Sequence, residues 1–563
     1  MKKPARIITL LLACAMIVSI AACSGGDAGP SASNPVVSNP GSSPSSTPSS
    51  SPIQIPEVSA PPTDMDDMIV VDSITYGFRN PSWDMSPWKN SGNSGQTVYL
   101  QLYSCLMANP AYGTPLEKMQ YDIAESITFS GDRMIATIKL RDYVHDSKGN
   151  PIKAEDVVFS YLTAPIVSGN YSRVGTFIES VVAKDELTVE IKAATSAPGT
   201  WELLLSNCPI VNKNWYENAS ADERANNPAG TGAYRVVENV AGSSIILEAI
   251  EDFWQKDELR SVFQRVTAKT INYVSITEDS MRVIALERGE LDAAIVENVN
   301  YDRFLGNSEF NIFQFLMTNP STILLNCAEG KPFNNNAALR LAVLHAIDFD
   351  EFRIAVSGEL SASGHDIAPV NCGDYDPAWN DMPYFDYDPD LAAQYMIEAG
   401  YGLNSGLTLH FMFRNMPHQV AAATVMQSYL AEIGINLLLD GYDQSLYDTY
   451  LADPTQWDLV WYSQMNSTGF VTDSWNFYFS SRGEQGTAGF VKDDKLQQLL
   501  QAALTKNDAA SRNAFRDYYI EQGYGANAAV EMGIIVGRKE ITNMWFSFIS
   551  NPIVNAFEFD TEF

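Results

Sequence analysis

A chain of 563 residues with 45% hydrophobic and 11% aromatic side chains has far more apolar material than one small core needs. This excludes a disordered or fibrous protein and predicts two or more folded domains. Acidic residues number 68 against 36 Lys and Arg, a net charge of −32, and such a field repels phosphate backbones and argues against a nucleic-acid partner.

The chain opens with a targeting pattern. Lys2, Lys3 and Arg6 precede the apolar run Ile7 to Ile20, which is too short for a comfortable membrane span, and Ala21-Ala22 supplies small residues for cleavage. Ile20-Ala21-Ala22-Cys23 resembles a bacterial lipobox, in which the cysteine sulfur takes a diacylglycerol and becomes the new N-terminus. Residues 1–22 are therefore expected to be a lipoprotein signal peptide and Cys23 a membrane anchor. From Ser24 to about Asp64 the chain is rich in Ser, Pro, Gly and Asn and cannot bury a core. Residues 23–67 read as a tether, reaching on the order of 35 Å at about 5–6 Å × √n.

Later elements alternate strand and helix patterns. Val98, Leu102, Tyr103 and Leu106 have helical spacing. Positions 134, 136, 138 and 140 are apolar, the period of a half-buried strand, and Leu187, Val189 and Ile191 repeat it. Between them Lys148-Gly149-Asn150-Pro151 predicts a turn, followed by a helix with Glu155 and Asp156 in its first turn. In Gly230-Thr231-Gly232-Ala233-Tyr234 the two glycines predict a positive-φ turn before a strand. Asn336 to Ile347 predicts a helix with Leu339, Ala342, Val343, Ala346 and Ile347 on one face. Leu407 to Phe413 reads as a strand, and Leu496, Leu499, Leu500 and Ala503 mark another helix. The fold class is α/β in more than one domain.

Standard catalytic motifs are missing from the sequence: it has no GxxxxGK[ST], GxSxG or HExxH, and its five histidines are scattered. His345 lies within an apolar helix and reads as structural. Cys105, Cys208, Cys327 and Cys372 have no CxxC spacing, which argues against zinc; disulfides and buried thiols are equally compatible with them. No catalytic residue, metal or cofactor is nominated.

Taken in order, several segments resemble the large extracytoplasmic solute-binding proteins of ABC transporters, the peptide/nickel-binding family. They are Ile138-Lys139-Leu140-Arg141-Asp142 with Gly149 to Ser160, the Gly230 to Tyr234 turn with Ala233 in place of the usual proline, and Gly289-Glu290-Leu291-Asp292. Lys331-Pro332-Phe333 through Asp348, Asp386-Tyr387-Asp388-Pro389 through Tyr401, and Leu430 to Ile435 complete the series. The resemblance implies a two-lobed periplasmic-binding-protein-like fold of type II with an additional subdomain. Lobe I would comprise 68–108, 227–317 and 524–563, the extra subdomain 109–226, and lobe II 318–523. It further implies a monomeric receptor that captures a solute between its lobes and delivers it to an ABC permease with separate ATPase subunits.

Ligand contacts are expected on the loop after Trp457-Asp458-Leu459-Val460, where the family likeness points to Trp461 and Tyr462. Where peptide binders of the family carry an aspartate that pairs with the peptide ammonium, this chain has Gln464. An amide cannot compensate a buried cation. Asp473, further along, is a substitute acid, whereas Gln464, Asn466, Trp461 and Trp475 would equally suit a neutral oligosaccharide. Tyr103 and Ser104 in lobe I, with Arg414 and His418 after the strand Leu407 to Phe413, are further candidates; Arg414 suits a carboxylate. An oligopeptide is the leading ligand, with an oligosaccharide or metal chelate as alternative. A surface hydrolase and a non-transport sensor or adhesion lipoprotein are rivals from other classes.

Overall fold

The computed structural model describes residues 68–79, 83–89, 92–108, 114–195, 199–402, 405–466, 468–547 and 551–561. All lie within one compact unit, Gln54–Phe563. The signal peptide, Cys23 and the tether at 23–67 lie outside the described residues.

Local rules account for many elements. The strand Ile135–Leu140 buries Ala136, Ile138 and Leu140, and Thr188–Ala193 buries Val189 and Ile191, as alternation requires. The turn at 146–150 is built by Asp146, whose Oδ1 accepts from the backbone N–H groups of Lys148 and Asn150 at 2.9 Å each, with Gly149 at φ 82°. The helix Ala154–Val167 follows, and Asp156 Oδ2 accepts from the Lys153 N–H at 2.7 Å. Asn336 caps the helix Ala337–His345 and Asp388 caps Pro389–Glu398, each accepting from the N–H three residues on.

Among the described residues these elements assemble around two large apolar cores, with a smaller cluster at Ala108, Val262, Phe263, Trp545, Ile553 and Ala556 beside them. One gathers residues from Val71 to Phe315 and returns with Ile535, Ile541, Val554 and Phe557; the other runs from Ile323 to Ala529. They are the two lobes of a periplasmic-binding-protein-like α/β fold. In lobe I, Val71–Phe78 pairs in parallel with Ala268–Ser275 and Ala293–Val296, and Tyr234–Val240 with Ser244–Ala249 extends the sheet. In lobe II, Leu407–Arg414 lies parallel to Ile435–Tyr442 and Leu459–Tyr462, and the latter pairs antiparallel with Ser321–Leu325. A separate four-stranded antiparallel sheet, 124–129, 135–140, 188–193 and 178–183 in spatial order, forms the additional subdomain. Its residues Ile138, Val157, Tyr161 and Val189 share the lobe I core.

The fourteen-residue strand Gly525–Arg538 joins the lobes. Its first part pairs with Ser321–Leu325 of lobe II and its last part with Ala293–Val296 and Phe310–Leu316 of lobe I. The chain thus crosses between the cores twice, side by side, at 317–320 and around Val530 and Glu531, and the Met317 N–H donates to the Glu531 carbonyl at 2.9 Å. Pairing shifts register between Ser321 and Thr322.

One local expectation is corrected. Gly230 and Gly232 do not have positive φ; they are glycines because the backbone of the helix Gly92–Leu102 passes against them. A Cβ on Gly230 would lie 2.0 Å from the Leu102 carbonyl oxygen, and one on Gly232 2.2 Å from that of Gln101. Gly232→Ala is expected to lower the unfolding free energy by about 2–3 kcal/mol in denaturant titration, whereas Gly131→Ala, with open space around it, should stay within about 0.5 kcal/mol. Equal effects would contradict the close approach.

Candidate functional site

The strand Leu459–Tyr462 ends beside the crossing, since Tyr462 pairs with Thr322. The segment that follows is fastened there: the Asn466 N–H donates to the Thr318 carbonyl at 3.0 Å and Asn319 Nδ2 to Ser463 Oγ at 3.2 Å. Asn466, 2% exposed, folds the segment on itself. Its Nδ2 donates to the Phe470 carbonyl at 2.7 Å and to Ser474 Oγ at 2.9 Å, while its Oδ1 accepts from the Gly469 N–H at 2.9 Å. Its hydrogen-bonding capacity is spent on the protein, and it shapes the wall of the site.

Opposite stands the additional subdomain. Gly199, at φ 78°, lies so close to Thr468 that a Cβ would be 2.9 Å from the Thr468 Cβ. Arg173, on the helix Ser172–Phe177, reaches across to Asp473 on the helix Val471–Phe479. Its Nη1 donates to Oδ2 at 3.1 Å and its Nη2 to Oδ1 at 2.5 Å. This two-point ion pair joins groups 300 residues apart, on helices anchored in different cores by Val174 on one side and by Val471 and Trp475 on the other. Between them lies a cavity of about 310 Å³, walled by Arg173 and Phe177 on one side and by Gln464, Met465, Asn466, Asp473, Phe477 and Tyr478 on the other. A larger cavity of about 890 Å³ opens beside Cys327, Arg340 and Tyr524, beyond the end of the strand Ser321–Leu325 that points away from the crossing. The smaller one is the candidate site because both cores build it.

Among the residues nominated from sequence, Gln464, Asn466 and Asp473 come together on this cavity. Among the described residues the Gln464 amide makes a single long contact, 3.5 Å to the Met465 carbonyl, and it lines the cavity with capacity to spare. Tyr462, half-buried, stands behind the wall against Phe477 and Tyr478. Trp461 points to the other face of the strand, packs on Phe352 and His418, and its indole N–H has no acceptor among the described residues. Trp475 is fully enclosed in lobe II: it packs on Trp379 and Phe515 and its Nε1 donates to Asp366 at 2.9 Å. Arg414 and His418 stand at the same end of the lobe II sheet, outside the cavity, with Arg414 Nη1 3.4 Å from Gln444 Oε1. Arg173 and Phe177 carry no local sequence signal for this role.

Tyr103 and Ser104 are enclosed within lobe I. Tyr103 donates its hydroxyl to the Met85 carbonyl at 2.6 Å, and Ser104 Oγ accepts from Gln264 Nε2 at 3.0 Å. The same Gln264 amide donates to Asp122. Burial pushes the Asp122 carboxyl up to about 7, against the opposing pull of its hydrogen bonds from Ser104, Cys105 and Gln264. The folded-state pKa exceeds the unfolded one, so the stability this group contributes is fully present below pH 4 and is lost as pH rises through 7.

Cys105, Cys208, Cys327 and Cys372 are thiols, with no disulfide among the described residues. Burial pushes Cys327 up to about 11 and Cys208 higher still, which keeps both protonated near neutral pH. Among the described residues no His, Cys, Asp and Glu cluster is arranged to hold a metal, and no helix is long and apolar enough to cross a membrane. Asp122→Asn is expected to flatten the loss of stability between pH 4 and 7 and to raise stability at pH 8, as measured by urea titration across pH. An unchanged slope would show that Asp122 ionises freely.

With this geometry in view, the likeness to known proteins is specific. The pattern of the bacterial extracellular solute-binding proteins, family 5, matches residues 118–488. A protein of Brucella ovis named as an ABC transporter peptide-binding protein is 24% identical over 356 residues, covering 60% of this chain and 63% of that protein. The match therefore spans less than two thirds of that relative's length. Among solved structures, HbpA2 of Haemophilus parasuis superposes with a TM-score of 0.76 at 18% identity, covering 87% of this chain and 100% of that one. The oligopeptide-binding protein AppA of Bacillus subtilis, solved in complex with a nonapeptide, gives 0.65 at 18% identity over 88% and 100% of the two chains. The match over residues 118–488, on a two-lobed fold of the same kind, makes this chain a member of the bacterial extracellular solute-binding protein family 5.

Proposed function

We propose that this chain is the receptor of an ABC importer: it closes its lobes on an oligopeptide and presents the closed form to a membrane permease driven by ATPase subunits on separate chains. The observation that carries this reading is the 310 Å³ cavity at the crossing, with walls drawn from both cores. A ligand there touches both lobes only when they are together. That difference in contact moves the equilibrium toward closure. The family's character and the peptide-binding names of its relatives support the ligand class. The family is one of solute-binding proteins, and no reaction is assigned to this chain.

The receptor is held outside the membrane by lipid on Cys23, with residues 23–67 as tether, and works as a monomer. An oligosaccharide is the second reading, favoured by Gln464, whose neutral amide faces the cavity in place of an acid.

Thermal unfolding in the presence of mixed short peptides is expected to rise. A ligand at 100 times its Kd adds about 2.7 kcal/mol to a form that binds only when folded. A rise with oligosaccharides alone overturns the peptide assignment. Cys23→Ala is expected to move the protein from the membrane to the soluble fraction on cell fractionation, and retention at the membrane overturns the lipid anchor.

A further inference from the structure

We propose that Arg173 sets the charge the cavity accepts: by holding Asp473 in a two-point ion pair it leaves the site electrically balanced, so the ligand end bound there is uncharged, an N-acylated terminus and not a free ammonium. This deepens the receptor reading above and rests on it. Arg173 and Asp473 are the only charged groups among the described residues that wall the cavity. Both Asp473 oxygens take Arg173 donors, and Oδ2 also accepts from the Thr468 N–H at 3.2 Å. The Asp473 side chain is 7% exposed. The guanidinium lies 5.3 Å from the centre of the Phe177 ring, a face that favours a cation.

An ammonium entering this cavity has two places to go. Beside the pair it meets the guanidinium as a like charge. In place of Arg173 it takes the carboxylate and leaves the guanidinium half-buried without it. Each route carries the cost of an imperfectly compensated, partly desolvated cation, and the planar fork of Arg173 grips a carboxylate better than an ammonium point charge does. An amide end meets neither obstacle. The Gln464 amide offers a donor and an acceptor, and Phe177 and Phe477 offer apolar walls for an acyl group. Gln464 supplies no second carboxylate, so nothing else in the described wall calls for a cation.

The test compares matched ligands by calorimetry on the full-length lipoprotein in detergent: short peptides with free or acetylated N-termini, and chitosan against chitin oligosaccharides, which differ in the same amine-for-acetamide exchange. The wild-type protein is expected to bind the acetylated member more tightly than the amine. Arg173→Gln, which exposes Asp473, is expected to reverse the order and prefer the amine by about tenfold or more. Arg173→Lys, which keeps the charge, should retain the wild-type order. A tenfold wild-type preference for free-amine peptides overturns the role of Arg173 and leaves the peptide receptor standing. Equal weakening of both members in Arg173→Gln also overturns it, reducing the ion pair to a closure latch. Binding of chitin over chitosan with no peptide bound overturns the peptide assignment and supports Arg173, and binding of neither set overturns both.

Discussion

The paired crossing of the two lobes is the constraint on which the rest of the molecule depends. Gly525–Arg538 is an interior strand of both halves of one sheet, and the segment 317–320 runs beside it. The lobes are therefore joined by a hydrogen-bonded ribbon and not by a loose linker, with a change of pairing register beside the crossing, between Ser321 and Thr322. Packing closes in on either side. The Phe315 ring lies where a side chain on Gly533 would be, 2.1 Å from its Cβ position. On the lobe I side Asp292 accepts from the Thr75 N–H at 2.7 Å and pairs with Arg538 at 3.2 Å, tying the long strand to the parallel strands beside it.

The site inherits its position from that ribbon. Because the Asn466 N–H is bonded to the Thr318 carbonyl, the wall carrying Gln464 and Asp473 is fixed to the crossing itself. The opposite wall, Arg173 and Phe177, belongs to the additional subdomain, whose residues Val157, Tyr161 and Val174 share the lobe I core. A contact between these walls reports the angle between the lobes. Under the proposed receptor reading, these are the groups that would separate on opening and so give a ligand different affinities for the open and closed forms.

Beneath the walls the protein invests in buried polar networks. Asp366, fully enclosed, accepts from Trp475 Nε1 at 2.9 Å and from the Tyr519 hydroxyl at 2.7 Å. Burial raises its pKa, while those hydrogen bonds and Arg516 pull the other way. Arg516 in turn lies 5.6 Å from the Trp379 ring centre and donates to the His365 carbonyl. Trp475 is thereby held as a structural post on the same helix that carries Asp473 on its cavity side. The two hydrogen bonds to Asp366 hold Trp475 and Tyr519 in one arrangement beneath the cavity wall, while Arg516 Nε stands 3.9 Å from Asp366 Oδ2 with no hydrogen bond among the described residues.

The sequence by itself determined the α/β class, the strands at 135–140 and 188–193, the helix after Asn336, and the family, because each follows from spacing over a few residues or from the order of short motifs. It also brought attention to the segment holding Gln464 and Asp473. Other features were not legible. Trp461 and Tyr462 must face opposite sides of a strand, but which side meets the cleft depends on how Phe352, far away in the chain, and Phe477, on the next helix, pack against them. Gly230 and Gly232 look alike whether φ or a close backbone demands them. Trp475 and Ser104 look like contact residues until the cores close around them. Only the tertiary structure decided that Arg173 meets Asp473, because no local rule relates residues 300 positions apart. The pair exists only where two separately folded cores bring their surfaces together.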